Sequence, residues 1–407
     1  MDQAGVNLTL DCSRRGRVFD GIGGNFRLQN PEADPPAIQY NLDNLSVAWG
    51  RVAMPLNHWQ PEESADPMAR PPAKSVHEAM AMAGELARRN IRVMASVWVA
   101  PDWALGAATP GVHGRPVLPR KIDALCRSIA SYLVLMRDEY HAPAEFFSFN
   151  ESNLGIDVRQ TPAEHAEMIK RLGAEFVRRG LSTRQLLGDV ANPHSIGFIQ
   201  PAMEDAEALK YIGAVSFHSW YGGSDETLAA WGRAADRLGL PLFCAEAGTD
   251  PAAYKNPPIF EDADFALQEI DLYVRICALC QPASIMQWQM TSDYPLAIGS
   301  PLRPLQRFWQ WKQLGLTPRG AAALPIRSDA PEVSCCAFVR GDHIIVHMAN
   351  MGPARTVTLS GLPRNLKQML ASTTDARCGM TELEPVSVNG AASCFELGEL
   401  SFTSLWS

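Results

Sequence analysis

With 407 residues, 46% of them hydrophobic and 20% charged, the chain has material for one large barrel, a smaller companion domain and ample cores. A net charge of −8 without any Lys/Arg run argues against a nucleic-acid partner and suits a neutral substrate. No apolar run is long enough to span a bilayer. Nine scattered cysteines, an odd number, argue against a disulfide framework, and the N-terminus shows no basic-then-apolar leader pattern, so the sequence favours a cytoplasmic setting, with secretion the alternative for a chain whose leader was trimmed.

In chain order, residues 6–11 and 17–19 read as strands, followed by Asp20-Gly-Ile-Gly-Gly-Asn25. The glycine cluster lacks the Lys-Ser/Thr ending of a phosphate loop and opens no helical pattern, so it reads as a tight turn. A strand–helix alternation then sets in. Residues 45–54 are apolar and β-rich and carry Arg51; 75–89 have helical spacing; 91–99 form a strand holding Trp98; 121–140 return to the helical period. Residues 146–149 are a strand delivering Asn150-Glu151. Thr161-Pro-Ala-Glu164 is a capping box with Pro at the first helical position, opening a helix that stops at Gly180. Strands follow at 186–190, 214–217 (ending in His218), 241–245 (delivering Glu246) and 284–289 (containing Trp288), with helices at 202–211, 226–238, 262–280 and 304–314. Cys277 and Cys280 lie within that third helix, as two small core residues one turn apart. This alternation, sustained through eight strands, predicts a (β/α)₈ barrel.

Beyond residue 320 the period changes. Short alternating runs at 333–339, 343–348, 356–359, 368–371 and 402–406, separated by turn residues, predict an antiparallel β-sandwich. The strands before Asp20 fall outside the barrel count and are expected to join it. The expected domains are therefore a barrel over 20–318 and a sandwich over 1–19 plus 319–407.

In such a barrel every strand points its C-terminal end at one mouth, where chemistry sits. The residues brought there are Arg51, Trp98, Asn150, Glu151, His218, Trp220, Tyr221, Glu246 and Trp288. Two carboxylates, each at the mouth of a buried strand, are the minimum equipment for work on a glycosidic bond. A fixed cation, polar donors and indole faces able to stack on a sugar ring complete a set that points to glycoside cleavage.

At this point the sequence resembles glycoside hydrolase clan A, and within it family 30, which includes glucosylceramidase-like enzymes and certain xylanases. The resemblance runs over nearly the whole chain. It rests on Phe19-Asp-Gly-Ile-Gly-Gly24, Arg51-Val-Ala-Met-Pro55, Ser96-Val-Trp-Val-Ala-Pro-Asp-Trp103, Asn150-Glu151, His218, Glu246 and Trp288, in that order. It implies a barrel-plus-sandwich build, no cofactor, and a retaining reaction with Glu151 as acid/base and Glu246 as nucleophile. Glu151 must then carry a proton for the leaving oxygen, Glu246 must be ionised with Arg51 and the Tyr221 phenol as candidate partners, and Asn150 would hydrogen-bond the sugar 2-hydroxyl. Three positions depart from the family pattern. Ser152 stands where Pro usually follows the acid/base. His58 stands where glucosylceramidase-like members carry an Asp that holds sugar hydroxyls. The His-x-Tyr motif becomes His218-Ser-Trp-Tyr221, so either Trp220 or Tyr221 takes the tyrosine's place.

Two other classes compete with a retaining glycosidase acting on a β-linked glycoside or polysaccharide. A carbohydrate-binding protein on an inactive barrel would not need both Glu151 and Glu246. An aldolase or metal-dependent hydrolase would want a strand-end lysine or a His/Asp cluster, and His58, His113 and His194 show no metal-ligand spacing.

Overall fold

The computed structural model describes residues 5–69 and 71–407, so the leader reading of the first residues falls partly outside it. Eight parallel strands close into a barrel, labelled here β1 (Gly23–Phe26), β2 (Trp49–Pro55), β3 (Arg92–Val99), β4 (Ala144–Phe149), β5 (Arg184–Val190), β6 (Ile212–His218), β7 (Leu242–Ala247) and β8 (Ser284–Gln287). β8 pairs with β1 through Met286 and Gly23, which shuts the cylinder.

The glycine cluster is where the sequence reading fails. Instead of a turn, Gly23-Gly24-Asn25-Phe26 is the first barrel strand, paired with Trp49–Val52 of β2. Its glycines answer to crowding inside the cylinder. A Cβ on Gly23 would lie 2.9 Å from both Met286 Cγ and the Trp49 carbonyl oxygen, and one on Gly24 2.3 Å from Met290 Cγ. The helix Asp34–Asn44 that follows was also not foreseen; its hydrophobic face is small.

Strand alternation explains the two sides of the barrel wall. Val52, Val93, Ala95, Val97, Phe147, Phe149, Leu187, Val215 and Phe217 belong to the large core shared with the surrounding helices. The residues between them point inward. Trp49, Met94, Phe146, Leu186, Ala214, Phe243 and Met286 fill the lower half of the cylinder as a separate apolar cluster. The helix Pro162–Arg178 opens with the expected capping box, Thr161 Oγ1 accepting from the Glu164 N–H while Glu164 accepts from the Thr161 N–H.

Eleven further strands form one long curled sheet that folds into a β-sandwich, with Val6, Leu8, Leu10, Val346, Met348, Leu359 and Leu405 in its core. Val6–Leu10 enters it between Ile326–Ser328 and Arg355–Ser360, the latter in parallel, while Val18–Phe19 pairs with Ala321–Leu324. Two strands, Thr381–Asn389 and Ala392–Leu397, had no sequence signal. The first is exposed along nearly its whole length and so lacks apolar alternation. No helix among the described residues is long and apolar enough to cross a membrane.

Candidate active site

Above the apolar lower layer, the inward positions turn polar, and the strand ends open into a cleft of about 590 Å³. Asn150, Glu151 and Glu246 form its base, and Trp98, Trp220, Trp288 and Tyr294 stand around them. Trp98 and Trp288 face each other with ring centroids 6.0 Å apart.

Glu151 leaves β4 in the left-handed region (φ 45°), a bend that turns its side chain off the strand and into the mouth. The residue after it repays the departure from the family pattern: Ser152 Oγ donates to Gln160 Oε1 at 3.1 Å, anchoring the loop from inside. Glu246, on β7, accepts from Arg51 Nη1 at 2.8 Å on Oε1 and from the Trp220 indole N–H at 3.1 Å on Oε2. Trp220 is seated because Gly248 yields to it; a Cβ there would lie 2.3 Å from the indole ring. A carboxylate oxygen of Glu151, a ring nitrogen of His218 and a carboxylate oxygen of Glu246 all lie within 4.8 Å of one another.

Beneath the two glutamates lies a buried network that the sequence did not reveal. Its centre is Asp189, at the end of β5, which accepts from Arg51 Nη2 (2.7 Å) and Ser148 Oγ (2.6 Å) on Oδ2. Its Oδ1 meets Ser216 Oγ at 3.1 Å and His218 Nε2 at 3.0 Å. Arg51 also donates to Asn25, Ser96 and Asn150, and His218 Nδ1 lies 2.9 Å from Glu151 Oε1 and 3.4 Å from Glu246 Oε2.

These contacts set the charges. Burial alone would lower His218, but the Glu246 and Asp189 carboxylates reverse it and push it up from 6.5 to about 10, so it is a cation at neutral pH. Burial works to raise Asp189, yet Arg51 and His218 outweigh it and hold its carboxyl well below the usual range. Burial raises Glu246 above the usual glutamate value, reinforced by Glu151 and opposed by His218 and Arg51. The result is a basic carboxylate that two neighbouring cations favour in its charged form.

Of the ten residues singled out from sequence, Trp98, Asn150, Glu151, Trp220, Tyr221, Glu246 and Trp288 line the cleft. Arg51 and His218 do not: both are fully buried under the glutamates, so they act on carboxylates rather than on a ligand. Tyr221 is placed at the cleft but 73% exposed, and the partner of Glu246 is the Trp220 indole rather than its phenol. His58 is displaced altogether. It sits on the short helix Leu56–Trp59, its ring against Ser75 Oγ at 2.6 Å, in a separate depression lined by prolines. Trp103 packs against the core and donates to the Gln60 carbonyl. Asp189, Asn25, Arg27, Asp293 and Tyr294 were missed, although an aspartate inside Leu186-Leu-Gly-Asp-Val190 is a charge in a buried strand and was a readable signal.

Glu151, His218 and Glu246 have the closeness of a metal-ligand set, but they do not fit a metal ion. Both His218 nitrogens are engaged as donors to carboxylates, and a guanidinium already occupies one face of Glu246.

No protein-family model and no curated protein matches the chain in sequence. Solved structures do match it in fold. A GH30 endoxylanase from Clostridium papyrosolvens C71 superposes with a TM-score of 0.82 at 14% identity, covering 98% of this chain and 99% of that one. A glycoside hydrolase family 30 subfamily 8 xylanase from Clostridium acetobutylicum gives 0.80 at 13% identity over 98% and 99%. The catalytic domain of GH30 xylanase C from Talaromyces cellulolyticus gives 0.75 at 14% over 98% and 99%. The chain thus has the fold of family 30 glycoside hydrolases, sandwich included.

Proposed function

We propose that this protein is a retaining glycosidase that cleaves a β-linked glycoside or polysaccharide by double displacement. The observation that carries the reading is that one carboxylate oxygen of Glu151 and one of Glu246 lie within 4.8 Å of each other. A retaining pair stands about 5–5.5 Å apart, whereas an inverting pair needs about 6.5–9.5 Å to admit a water between sugar and base. The GH30 fold supports it and makes xylan the first polysaccharide to assay.

In this reading Glu246 attacks the anomeric carbon while Glu151 gives its proton to the departing oxygen. Arg51 and the Trp220 indole hold Glu246 in place by one oxygen each. As the ester forms, the negative charge leaves Glu246 and appears on Glu151. His218 Nδ1, 2.9 Å from one carboxylate and 3.4 Å from the other, serves the charge at both positions without moving. Glu151 then takes a proton from the water that attacks the ester. Asn150 has its oxygen turned to Arg51, which leaves its amide N–H₂ for a sugar hydroxyl.

Proton NMR of the sugar first released from an aryl β-glycoside tests this reading. The β-anomer appearing before mutarotation is the expected result; the α-anomer refutes double displacement.

A further inference from the structure

Two charged side chains in the cleft have no hydrogen-bond or ion-pair partner among the described residues. Arg27, just beyond the end of β1, is largely desolvated, which lowers its pKa, and it forms neither an ion pair nor a hydrogen bond with any described residue. It stands over the Trp98 ring, with the guanidinium carbon 5.9 Å from the centroid. Asp293, in the loop after β8, is half-buried, its carboxyl raised by that burial, and it too accepts no hydrogen bond. Every other charge at the base of the cleft is tied into the Asp189 network. A desolvated guanidinium and a desolvated carboxylate that face the same space without touching are costly unless something between them completes their hydrogen bonds.

The two stand on an identifiable side of the reaction centre. Arg27 lies over the Trp98 ring, Trp98 faces Trp288 with centroids 6.0 Å apart, and Asp293 belongs to the loop that follows Trp288. The wall next to Glu151 is different in character: Leu154 and Ile156 from its own loop, together with Ala191. The leaving group must lie towards the residue that protonates it, so the sugar ring undergoing attack lies on the side of Trp98, Trp288, Arg27 and Asp293.

We infer that Arg27 and Asp293 form a hydroxyl clamp that selects a neutral sugar bearing adjacent hydroxyls at the cleaved position. The guanidinium can only donate and the carboxylate can only accept, while a hydroxyl does both, so a vicinal diol lying between them satisfies each. An acidic sugar would pair with Arg27 but set its carboxylate against Asp293 and Glu246. The clamp therefore excludes uronic acids by repulsion as well as rewarding neutral sugars. It takes over the place that the sequence assigned to His58, from β1 and the β8 loop instead of from beyond β2.

This inference rests on the glycosidase reading for which side the sugar occupies, and the test separates the two. Wild type, Arg27→Gln and Asp293→Asn are compared in two measurements. The first is hydrolysis of 4-nitrophenyl β-glycosides of neutral sugars and of 4-nitrophenyl β-glucuronide. The second is quenching of tryptophan fluorescence by free xylose, glucose and glucuronic acid, which needs no turnover. Circular dichroism checks that each variant is folded. The clamp predicts that both variants lose about 10- to 100-fold in kcat/KM on neutral glycosides and bind the neutral sugars correspondingly worse. It also predicts that Asp293→Asn narrows the preference for neutral over glucuronide substrate. Neutral-sugar quenching that is lost in the variants, without hydrolysis by the wild type, upholds the clamp and sinks the glycosidase reading. Folded variants with unchanged quenching and unchanged kcat/KM overturn the clamp and leave the glycosidase reading standing, and a wild type that prefers the glucuronide overturns the clamp as well.

Discussion

The lower and upper halves of the barrel interior are built from the same strands, two residues apart. Trp49 is followed inward by Arg51 on β2, Met94 by Ser96 on β3, Phe146 by Ser148 on β4 and Ala214 by Ser216 on β6. Below, Trp49, Phe146 and Phe243 meet as an aromatic trio with centroids 4.9–5.6 Å apart. Above, that step brings in Arg51 and three serines, and the strand ends add His218 and the carboxylates of Glu151, Asp189 and Glu246. One step of the strand period thus converts a packed core into a charged site. The lesson is a division of labour: apolar burial below offsets the cost of desolvating charge above.

That division can be broken deliberately. Glu246→Ala should lower kcat roughly 10,000-fold, with azide restoring turnover of an activated aryl glycoside. Because burial outweighs the two cations and leaves the charged Glu246 carboxylate disfavoured on balance, the variant's unfolding midpoint should equal or exceed that of the wild type. Trp49→Ala should do the reverse. Emptying the floor of the cylinder should cost about 3–5 kcal/mol of stability in urea unfolding, while the folded fraction keeps kcat/KM within about twofold. Activity lost in step with stability in both variants would mean that the two layers are one unit.

The charged layer should also leave its mark on stability against pH. The folded-state pKa of His218 is raised from 6.5 to about 10, so the folded protein keeps a proton that the unfolded chain releases over that interval. The His218 contribution is therefore complete below pH 6.5 and is lost as the pH climbs towards 10. Urea unfolding followed across this window should show a decline that His218→Gln flattens; an equal slope in both proteins would mean that the imidazole is neutral when folded. The smallest effect is expected at His58, outside both layers. His58→Ala should change stability by no more than about 0.5 kcal/mol and leave kcat/KM untouched, and a large loss of activity would return it to the sugar site.

What could be read from sequence follows the same geometry. Glu151 and Glu246 stood out because each ends a run of apolar residues, and seven of the eight barrel strands announced themselves by the same means. Asp189 did not, because Gly188 (φ 102°) and Asp189 (φ 53°) break the two-residue alternation just before it reaches the mouth. β1 was mistaken for a turn because its glycines serve close packing rather than chain reversal. The choice between Trp220 and Tyr221 was undecidable from order alone. It is made by the backbone at Tyr221 (φ 64°), which throws the phenol outward, and by the space that Gly248 leaves for the indole. Arg27 and Asp293 lie in loops, where no periodicity marks a side chain as facing a cleft.

The claim on which the account turns is that Glu246 bonds to the sugar while Glu151 handles the proton. Trapping with a 2-fluoro aryl β-glycoside, followed by digestion and peptide mass spectrometry, addresses it most directly. The fluorine slows breakdown of the ester more than its formation, so the intermediate accumulates. The account predicts one added 2-fluoroglycosyl group, on the peptide carrying Glu246 and at that residue. The same label on Glu151, or no label while the aryl leaving group is still released at each turnover, would contradict it.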